Sequence, residues 1–229
     1  MKKYAIVLFF TVGFITNSQA QVYIQGGVNL ANITTTNSGQ TEKNNILPTF
    51  NVGFMGRFGL SETLDLESGL LFTGHGSKAE TYFNGGADYV KSQVNPFYLQ
   101  VPLNAVLKVP LEKKSKLFFH AGPYIAMGIA GKSKTESKLG ILTSSSTKTI
   151  QFSNDDPFTS QQEDAAYNKL KRFDFGANIG AGFELENILL KVNYGFGFAK
   201  INSTESNNNV NDKNKYRTLS FSVGIPLGK

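Results

Sequence analysis

The chain has 229 residues, with no cysteine and no tryptophan, and carries a formal net charge of +6 at pH 7. The absence of cysteine excludes a disulfide framework and a thiolate metal site. The cations are spread through the chain and form no basic cluster, so the charge gives no support to nucleic-acid binding.

The first residues are typical of an export signal. Two lysines at positions 2 and 3 precede an apolar run from Tyr4 to Ile15, and Ser18-Gln19-Ala20 fits a small-x-small cleavage site. The run is short for a retained transmembrane helix, which needs about 20 apolar residues. We predict a signal peptide over 1–20, cleaved after Ala20, and a single barrel domain over 21–229.

Beyond residue 20, apolar residues recur at every second position, which is the period of a β-strand and not of a helix. The first three predicted strands run from about Val22 to Ile33, Leu47 to Leu60 and Leu64 to His75. The link Ser61-Glu62-Thr63 is very short, so the second and third strands form a hairpin.

The clearest alternation lies in the fourth predicted strand, between Asn95 and Pro110. One face is entirely apolar and consists of Phe97, Leu99, Val101, Leu103, Ala105, Leu107 and Val109. Twelve residue steps at about 3.3 Å give roughly 40 Å of strand. Tilted by about 40°, this length spans the roughly 30 Å hydrocarbon core of a bilayer. The strand therefore predicts lipid on one side and a polar lumen on the other.

Four further strands complete the pattern, and they run from about Lys116 to Gly131, Lys171 to Leu185, Ile188 to Ala199 and Lys215 to Leu227. Pro102 and Pro123 lie inside strands, where a bulge at either residue would shift the two faces by one position.

The links between the strands are alternately long and short. The second long link, Gly76 to Ser92, has a turn signal at Asn84-Gly85-Gly86. The longest link covers 132–170 and is rich in Ser, Thr and Lys; a capping-box pattern at Ser160 to Glu163 predicts a short surface helix near 161–169. A loop of this length is usually functional or disordered.

Eight strands with this asymmetry predict an all-β fold, an eight-stranded antiparallel up-and-down transmembrane β-barrel with short periplasmic turns and long extracellular loops. Aromatic residues fall where two interfacial girdles are expected. They are Phe50, Phe72, Phe97, Phe173 and Phe198 at the outer rim and Phe58, Phe119 and Phe183 at the inner rim.

Five segments resemble, in order, the strands of a known family. They are Ile24 to Ile33, Tyr98 to Leu103, Ala121 to Ala126, Phe173 to Glu184 and Tyr194 to Gly197. Together they resemble the PorT-type outer-membrane β-barrel family of Bacteroidetes. The resemblance implies an outer-membrane barrel with lipid and the barrel-insertion machinery as partners. One branch of that family is tied to protein secretion, a role that fold alone does not transfer to this chain.

The chain departs from the family pattern at two places. Gln100 stands where the family often has glutamate. The last residues, Leu227-Gly228-Lys229, lack the terminal aromatic that the insertion machinery usually reads.

An eight-stranded barrel is just wide enough for side chains to fill its lumen. The residues predicted to bring charge into that lumen are Arg57, Glu67, Lys108, Arg172, Asp174, Glu184 and Lys191. A buried charge is costly unless it is paired, so the first interpretation is an ion network that plugs the barrel. The alternative is a selectivity constriction in a narrow pore.

The sequence predicts no catalysis, no cofactor and no metal site. His120 faces the lumen and can be imagined beside Ser220 or Ser222, but no nucleophile elbow accompanies it.

We expect an integral outer-membrane protein with a structural or surface-interaction role, through its extracellular loops and above all 132–170, toward an unknown extracellular ligand or protein. Two alternatives stay open: a narrow small-solute channel, and a soluble lipocalin-like binding barrel. A lipocalin carries its apolar face inside, so the side on which the apolar face lies distinguishes the last alternative.

Overall fold

The computed structural model describes residues 20–37, 40–43, 46–111, 115–154, 169–201 and 214–227. Strands in these ranges are β1 (Ala20–Asn37), β2 (Gln40–Lys43), β3 (Leu47–Gly59), β4 (Leu64–Gly74), β5 (Ser77–Phe83), β6 (Asp88–Pro110), β7 (Lys116–Leu139), β8 (Leu142–Thr149), β9 (Gln151–Ser153), β10 (Lys169–Lys171), β11 (Phe173–Glu184), β12 (Leu189–Gly197) and β13 (Lys215–Pro226). A single 3₁₀ turn, Asn84–Gly86, joins β5 to β6 at the predicted turn. No helix within these ranges is long and apolar enough to cross a membrane.

Two predictions fall largely on residues that the structure does not describe. The signal peptide over 1–20 lies outside the described residues except for Ala20, where β1 begins. The helix near 161–169 lies outside them except for Lys169, which begins β10.

Eight of the strands close into a ring of antiparallel pairs. The order is β1, β3, β4, β6, β7, β11, β12, β13 and back to β1. The predicted eight-stranded up-and-down barrel is therefore confirmed. Closure pairs every strand on both sides, which leaves no open edge to face hydrocarbon.

The two ends of the barrel differ in their connections. At one end, here the turn end, β3–β4, β6–β7 and β11–β12 are joined by short links. At the other, here the hairpin end, strands extend into long hairpins. Neighbouring strands therefore meet directly at the turn end and project from the barrel at the hairpin end.

The predicted faces are on the expected sides of the barrel wall. In β6, Leu103 and Leu107 are 47 and 50% exposed, whereas Asn104 and Val106 are 2 and 0% exposed. The apolar face is outside and the polar face is enclosed. A lipocalin has the opposite arrangement, so the lipocalin-like alternative is wrong.

The strand faces keep their parity through both prolines. The register shift between β6 and β7 lies at Phe97 and Tyr98, which pair with Ala130 and Gly128 and leave Ile129 as the extra residue. The shift lies beyond most of the apolar band, so it does not alter the faces predicted for Pro102 and Pro123.

The long links contain more strand than the sequence pattern predicts. β6 and β7 continue past the barrel, and β5 and β8 pair with their outer edges. The result is a four-stranded sheet at the hairpin end, here the outer sheet, made of 77–83, 88–95, 132–139 and 142–149. The prediction of a single loop over 132–170 is therefore wrong for 132–153. Neither face of this segment lies against the hydrocarbon core, so the apolar alternation disappears although the backbone pairing continues.

Candidate functional site

Charged side chains meet inside the barrel near its turn end. Glu67 on β4 is fully buried and accepts hydrogen bonds from Tyr23 Oη at 2.7 Å, Arg57 Nε at 2.8 Å and Asn104 Nδ2 at 3.1 Å. Lys191 Nζ on β12 also donates to Glu67. Four strands therefore direct donors at one carboxylate, which we call the Glu67 cluster.

Arg57 extends the cluster across the lumen to β11. Its Nη1 lies 3.2 Å from Glu184 Oε2, and Lys116 Nζ lies 3.3 Å from Glu184 Oε1. The guanidinium carbon lies 4.0 Å from the centre of the Phe118 ring. Gly182 makes room for that ring, because a Cβ there would lie 2.4 Å from Phe118. Side chains from opposite walls thus occupy the lumen cross-section at this level.

The Glu67 cluster contains four of the seven predicted charged residues: Arg57, Glu67, Glu184 and Lys191. The other three lie elsewhere. Lys108 Nζ pairs with Asp65 Oδ1 at 2.6 Å, Asp174 accepts from Tyr124 Oη at 2.9 Å, and Arg172 donates to the Phe152 carbonyl oxygen at 3.2 Å.

Sequence reasoning missed two uncharged members of the cluster, Tyr23 and Asn104. Each lies between outward apolar positions of its strand, so the alternation of the sequence places both side chains in the lumen. Their distances to Glu67 depend on strand register and on the curvature of the closed barrel, which alternation does not specify.

A second layer closes the lumen nearer the hairpin end. The hydroxyl oxygens of Tyr98 and Tyr216 lie 3.1 Å apart. The centre of the His75 ring lies 5.3 Å from the centre of the Tyr98 ring and 5.1 Å from that of the Tyr216 ring. Apolar side chains pack around them: Ile33, Tyr124, Ala126, Ile150, Leu170 and Ile201, with Val94 and Phe152 partly buried against the group. We call this set the aromatic layer.

The aromatic layer corrects the expectation of a lumen that is polar throughout. Phe152 of β9 folds back onto the inner wall beside Gly128, where a Cβ would lie 2.2 Å from the Phe152 ring. Phe152, which follows barrel strand β7 in the chain, therefore adds an apolar side chain that fills the lumen at this level. The alternation within the strands contains no information about this return of the chain.

Between the two layers lies a polar cavity of about 40 Å³. That volume holds roughly three water molecules, at 10–15 Å³ each. Its lining includes Gln25, Asn104, Asn193 and Ser220, and the Gln25 Oε1 and Asn104 Oδ1 oxygens are buried without a protein partner. The cavity is polar enough to hold water and too small for a larger solute.

The histidine considered for catalysis is not paired with a serine. His120 Nε2 lies 2.9 Å from Asn193 Oδ1, and Ser222 Oγ donates to Asn51 Oδ1 at 3.2 Å. Among the residues that the structure describes, no three or more His, Asp or Glu side chains come together as a metal site.

The outer sheet has two different faces, because residues paired across strands share a side. Val94 lies on the side that packs against the aromatic layer, and its cross-strand partners Ser77 and Ser133 share that side. The opposite side, the outward face, continues the lipid-facing wall of the barrel. Its charged and aromatic residues are Lys78, Glu80, Tyr82, Tyr89, Lys91, Lys132, Lys134, Glu136 and Lys138.

The tips of the two hairpins are joined by Asp88. Its Oδ1 accepts a hydrogen bond from the Gly140 N–H at 2.6 Å, and Asn84 donates to the same carboxylate. The Gly140 N–H, with help from Asn84, holds the pKa of the Asp88 carboxyl below its usual value. The tip beside it is apolar and exposed: Ile141 and Leu142 are 99 and 74% exposed.

Comparison with known proteins identifies one family and several solved structures with a similar fold. A family model for the outer membrane protein beta-barrel domain matches residues 16–203. No curated protein matches the sequence at a significant level.

Solved structures with a similar fold include three bacterial barrels. Ail, the attachment invasion locus protein of Yersinia pestis, in complex with the heparin analogue sucrose octasulfate, is 12% identical with a TM-score of 0.41, covering 91% of this chain and 99% of that chain. Neisserial surface protein A is 13% identical with a TM-score of 0.41, covering 91 and 99%. OprG from Pseudomonas aeruginosa is 12% identical with a TM-score of 0.35, covering 93 and 98%.

Proposed function

The chain belongs to the outer membrane protein beta-barrel domain family, and from this premise we propose that it is a closed, non-conducting barrel that presents its outer sheet at the cell surface. In this role the barrel is an anchor in the outer membrane, and the outer sheet is the part that contacts an extracellular ligand or protein. The alternative, a narrow channel for small solutes, is not favoured by the lumen side chains that the structure describes.

The observation that carries the proposal is the filling of the lumen at two levels. Arg57 and Glu67 are 2 and 0% exposed within the first level. Tyr98 and Tyr216 are 1 and 2% exposed within the second. A hydrated ion needs a continuous path of water, and the cavity that the described side chains leave between the two layers measures about 40 Å³.

The outer sheet supports the second half of the proposal. Leu139, Ile141 and Leu142 form an apolar hairpin tip that projects into solvent, with Leu139 60% exposed. Large apolar side chains grouped on a surface are typical of protein contacts. The tip lies within 132–170, the segment expected from the sequence to bind a partner.

Conductance measurements test the closed barrel. Purified protein inserted into planar bilayers should give no stepwise ion currents, because both layers block the water path. The control is the same preparation in vesicles, where protease resistance of the barrel and heat-dependent gel mobility establish insertion. Regular single-channel steps from inserted protein would contradict a closed barrel and restore the channel alternative.

Site-directed labelling tests which end of the barrel faces the outside. The chain has no cysteine, so Ile141→Cys and Glu62→Cys each introduce a single thiol, the first at the hairpin end and the second in the exposed β3–β4 turn. A polymer-linked maleimide too large for porins should label Ile141→Cys in intact cells. Glu62→Cys should react only after the outer membrane is permeabilised. The reverse pattern would place the outer sheet in the periplasm.

Three finer assignments complete the proposal. Residues 1–20 are the export signal, removed after Ala20, and the support for this assignment is Lys2, Lys3 and the apolar run up to Ile15. The barrel-insertion machinery assembles the strands in the outer membrane. The chain is a PorT-type barrel of Bacteroidetes, supported by the five ordered segments that resemble that family. The protein performs no catalysis, which the Asn193 partner of His120 supports.

A further inference from the structure

The outward face of the barrel shows where the apolar band ends at the hairpin end. Phe50, Phe72 and Phe97 lie side by side on β3, β4 and β6, with ring centres 5.8, 5.5 and 5.1 Å apart in the three pairs. Aromatic side chains on the outside of a membrane barrel are concentrated at the interface between hydrocarbon and headgroups. These three rings therefore mark the level of the interface on this side of the barrel.

Lysines begin directly beyond the rings and on the same face. Lys132 pairs with Asn95, two positions beyond Phe97, or about 7 Å further along the strand at about 3.3 Å per residue. Lys78 and Lys134 both pair with Gln93, two positions further again. Measured along the strands, three cations from β5 and β7 thus lie within about 13 Å of the level of Phe97.

The carboxylates of the outward face make their shortest contacts with tyrosines that lie farther from this level. Glu80 accepts from Tyr82 Oη and Glu136 accepts from Tyr89 Oη, each at 2.8 Å. Lys91 lies over the Tyr89 ring at 4.6 Å. Lys78 and Lys134 pair with the same two glutamates at longer distances, 3.7 Å to Glu80 and 3.6 Å to Glu136, and their side chains are 40 and 54% exposed.

Contacts of this length between exposed groups contribute little, so they leave these lysines available to a stronger anion. The tyrosines, in turn, satisfy the carboxylates at the far end of the sheet. The charge of the outward face is therefore graded, with the available cations nearest to the membrane.

We propose that Lys78, Lys132 and Lys134 bind the phosphate groups of anionic lipid in the outer leaflet. The inference rests on the proposed function, because it needs the hairpin end to be outside. Lysine stems can lie along the apolar wall while the ammonium groups reach the headgroups. The face is continuous with the lipid-facing wall, so its nearest neighbour is the headgroup layer and not a soluble partner above the tip.

The test compares two double variants that remove the same charge. Lys132→Gln/Lys134→Gln removes two cations next to the aromatic rings. Lys138→Gln/Lys148→Gln removes two cations of the same outer sheet. Lys138 lies at the far end of the outward face, and Lys148 of β8 lies on the opposite face of the sheet. Circular dichroism and heat-dependent gel mobility establish that both variants are folded.

The probe is lipid A with two phosphates, added to protein in a neutral detergent and measured by native mass spectrometry. Lys132→Gln/Lys134→Gln should weaken its binding about tenfold or more, since each lysine near a charged membrane surface contributes a comparable factor of several. The control variant should change binding by less than about twofold. Inorganic phosphate at the same concentration should not compete, because it lacks the acyl chains that place the headgroup beside the wall.

Three outcomes would overturn the inference: no loss in the first variant, an equal loss in both variants, or full competition by inorganic phosphate, which would indicate a site for free anions. These outcomes are distinct from failure of the proposed function. If Ile141→Cys is labelled from outside and the lysine variants bind lipid A normally, only this inference fails. If the label reaches Ile141→Cys only from the periplasm, the proposed function fails first.

Discussion

Replacing Glu67 with glutamine should lower the free energy of unfolding by about 3–5 kcal/mol, the cost of leaving a buried charge without its partner. Glutamine has nearly the same shape, so the variant removes charge and leaves the volume almost unchanged. Arg57 would then keep Glu184 as an acidic partner, whereas Lys191 would lose the glutamate with which it pairs. Unfolding by urea in lipid vesicles, followed by circular dichroism because the chain has no tryptophan, measures the change.

Three further variants identify the cause of that loss: Glu67→Gln/Lys191→Met, Lys191→Met alone and Glu184→Gln. Glu67→Gln/Lys191→Met restores the charge balance and should be more stable than Glu67→Gln alone by about 1–2 kcal/mol, as coupled groups in one network behave. Glu184→Gln, at a side chain 13% exposed, should cost about 1 kcal/mol. If the losses from Glu67→Gln and Lys191→Met simply add, the two side chains are not energetically coupled and the plug does not depend on their pairing.

Replacing Leu103 with arginine should cost about 2–4 kcal/mol, the penalty for a charge on the lipid side at the bilayer midplane. Leu103 is the middle one of the seven outward positions in β6, and its side chain is 47% exposed in the absence of lipid. Urea unfolding in vesicles again measures the effect.

The control for Leu103→Arg uses the same strand and the same face. Val109, 40% exposed, lies six positions nearer the turn end, where an arginine can reach the headgroups. Val109→Arg should therefore cost only about 0–1 kcal/mol. Equal penalties at the two positions would mean that depth in the membrane does not set the cost, and a neutral Leu103→Arg would mean that this face does not meet lipid.

The sequence alone predicted the architecture because the strands of a closed membrane barrel alternate simply between apolar and polar residues. Every outward residue between the rims meets one environment and every inward residue another, so alternation gave the side of Leu103, Asn104, Arg57 and Glu67 correctly. Short links such as Ser61 to Thr63 gave the pairing of successive strands. These are local properties, and a local pattern is enough to read them.

The sequence pattern did not predict the outer sheet, and the reason is related. The pattern depends on contrast between the two sides of a strand, and the contrast ends where the chain leaves the membrane. β8, with the sequence Leu142 to Thr149, is exposed along its whole length, so backbone pairing alone makes it a strand. Pairing of this kind is specified by the neighbouring strand β7 and leaves little trace in side-chain alternation.

By itself, then, the sequence determined the eight barrel strands, their faces and the closed barrel, because each follows from hydrophobicity at every second residue. Only the tertiary structure decided that Arg57, Glu67, Glu184 and Lys191 meet while Lys108, Arg172 and Asp174 lie apart. It also decided that Phe152 returns to close the hairpin end. Arg57 and Glu67 are partners within one hairpin, but the contacts of Arg57 with Glu184 and of Lys191 with Glu67 join residues far apart in the chain. Their distances depend on register and curvature, which no single strand encodes.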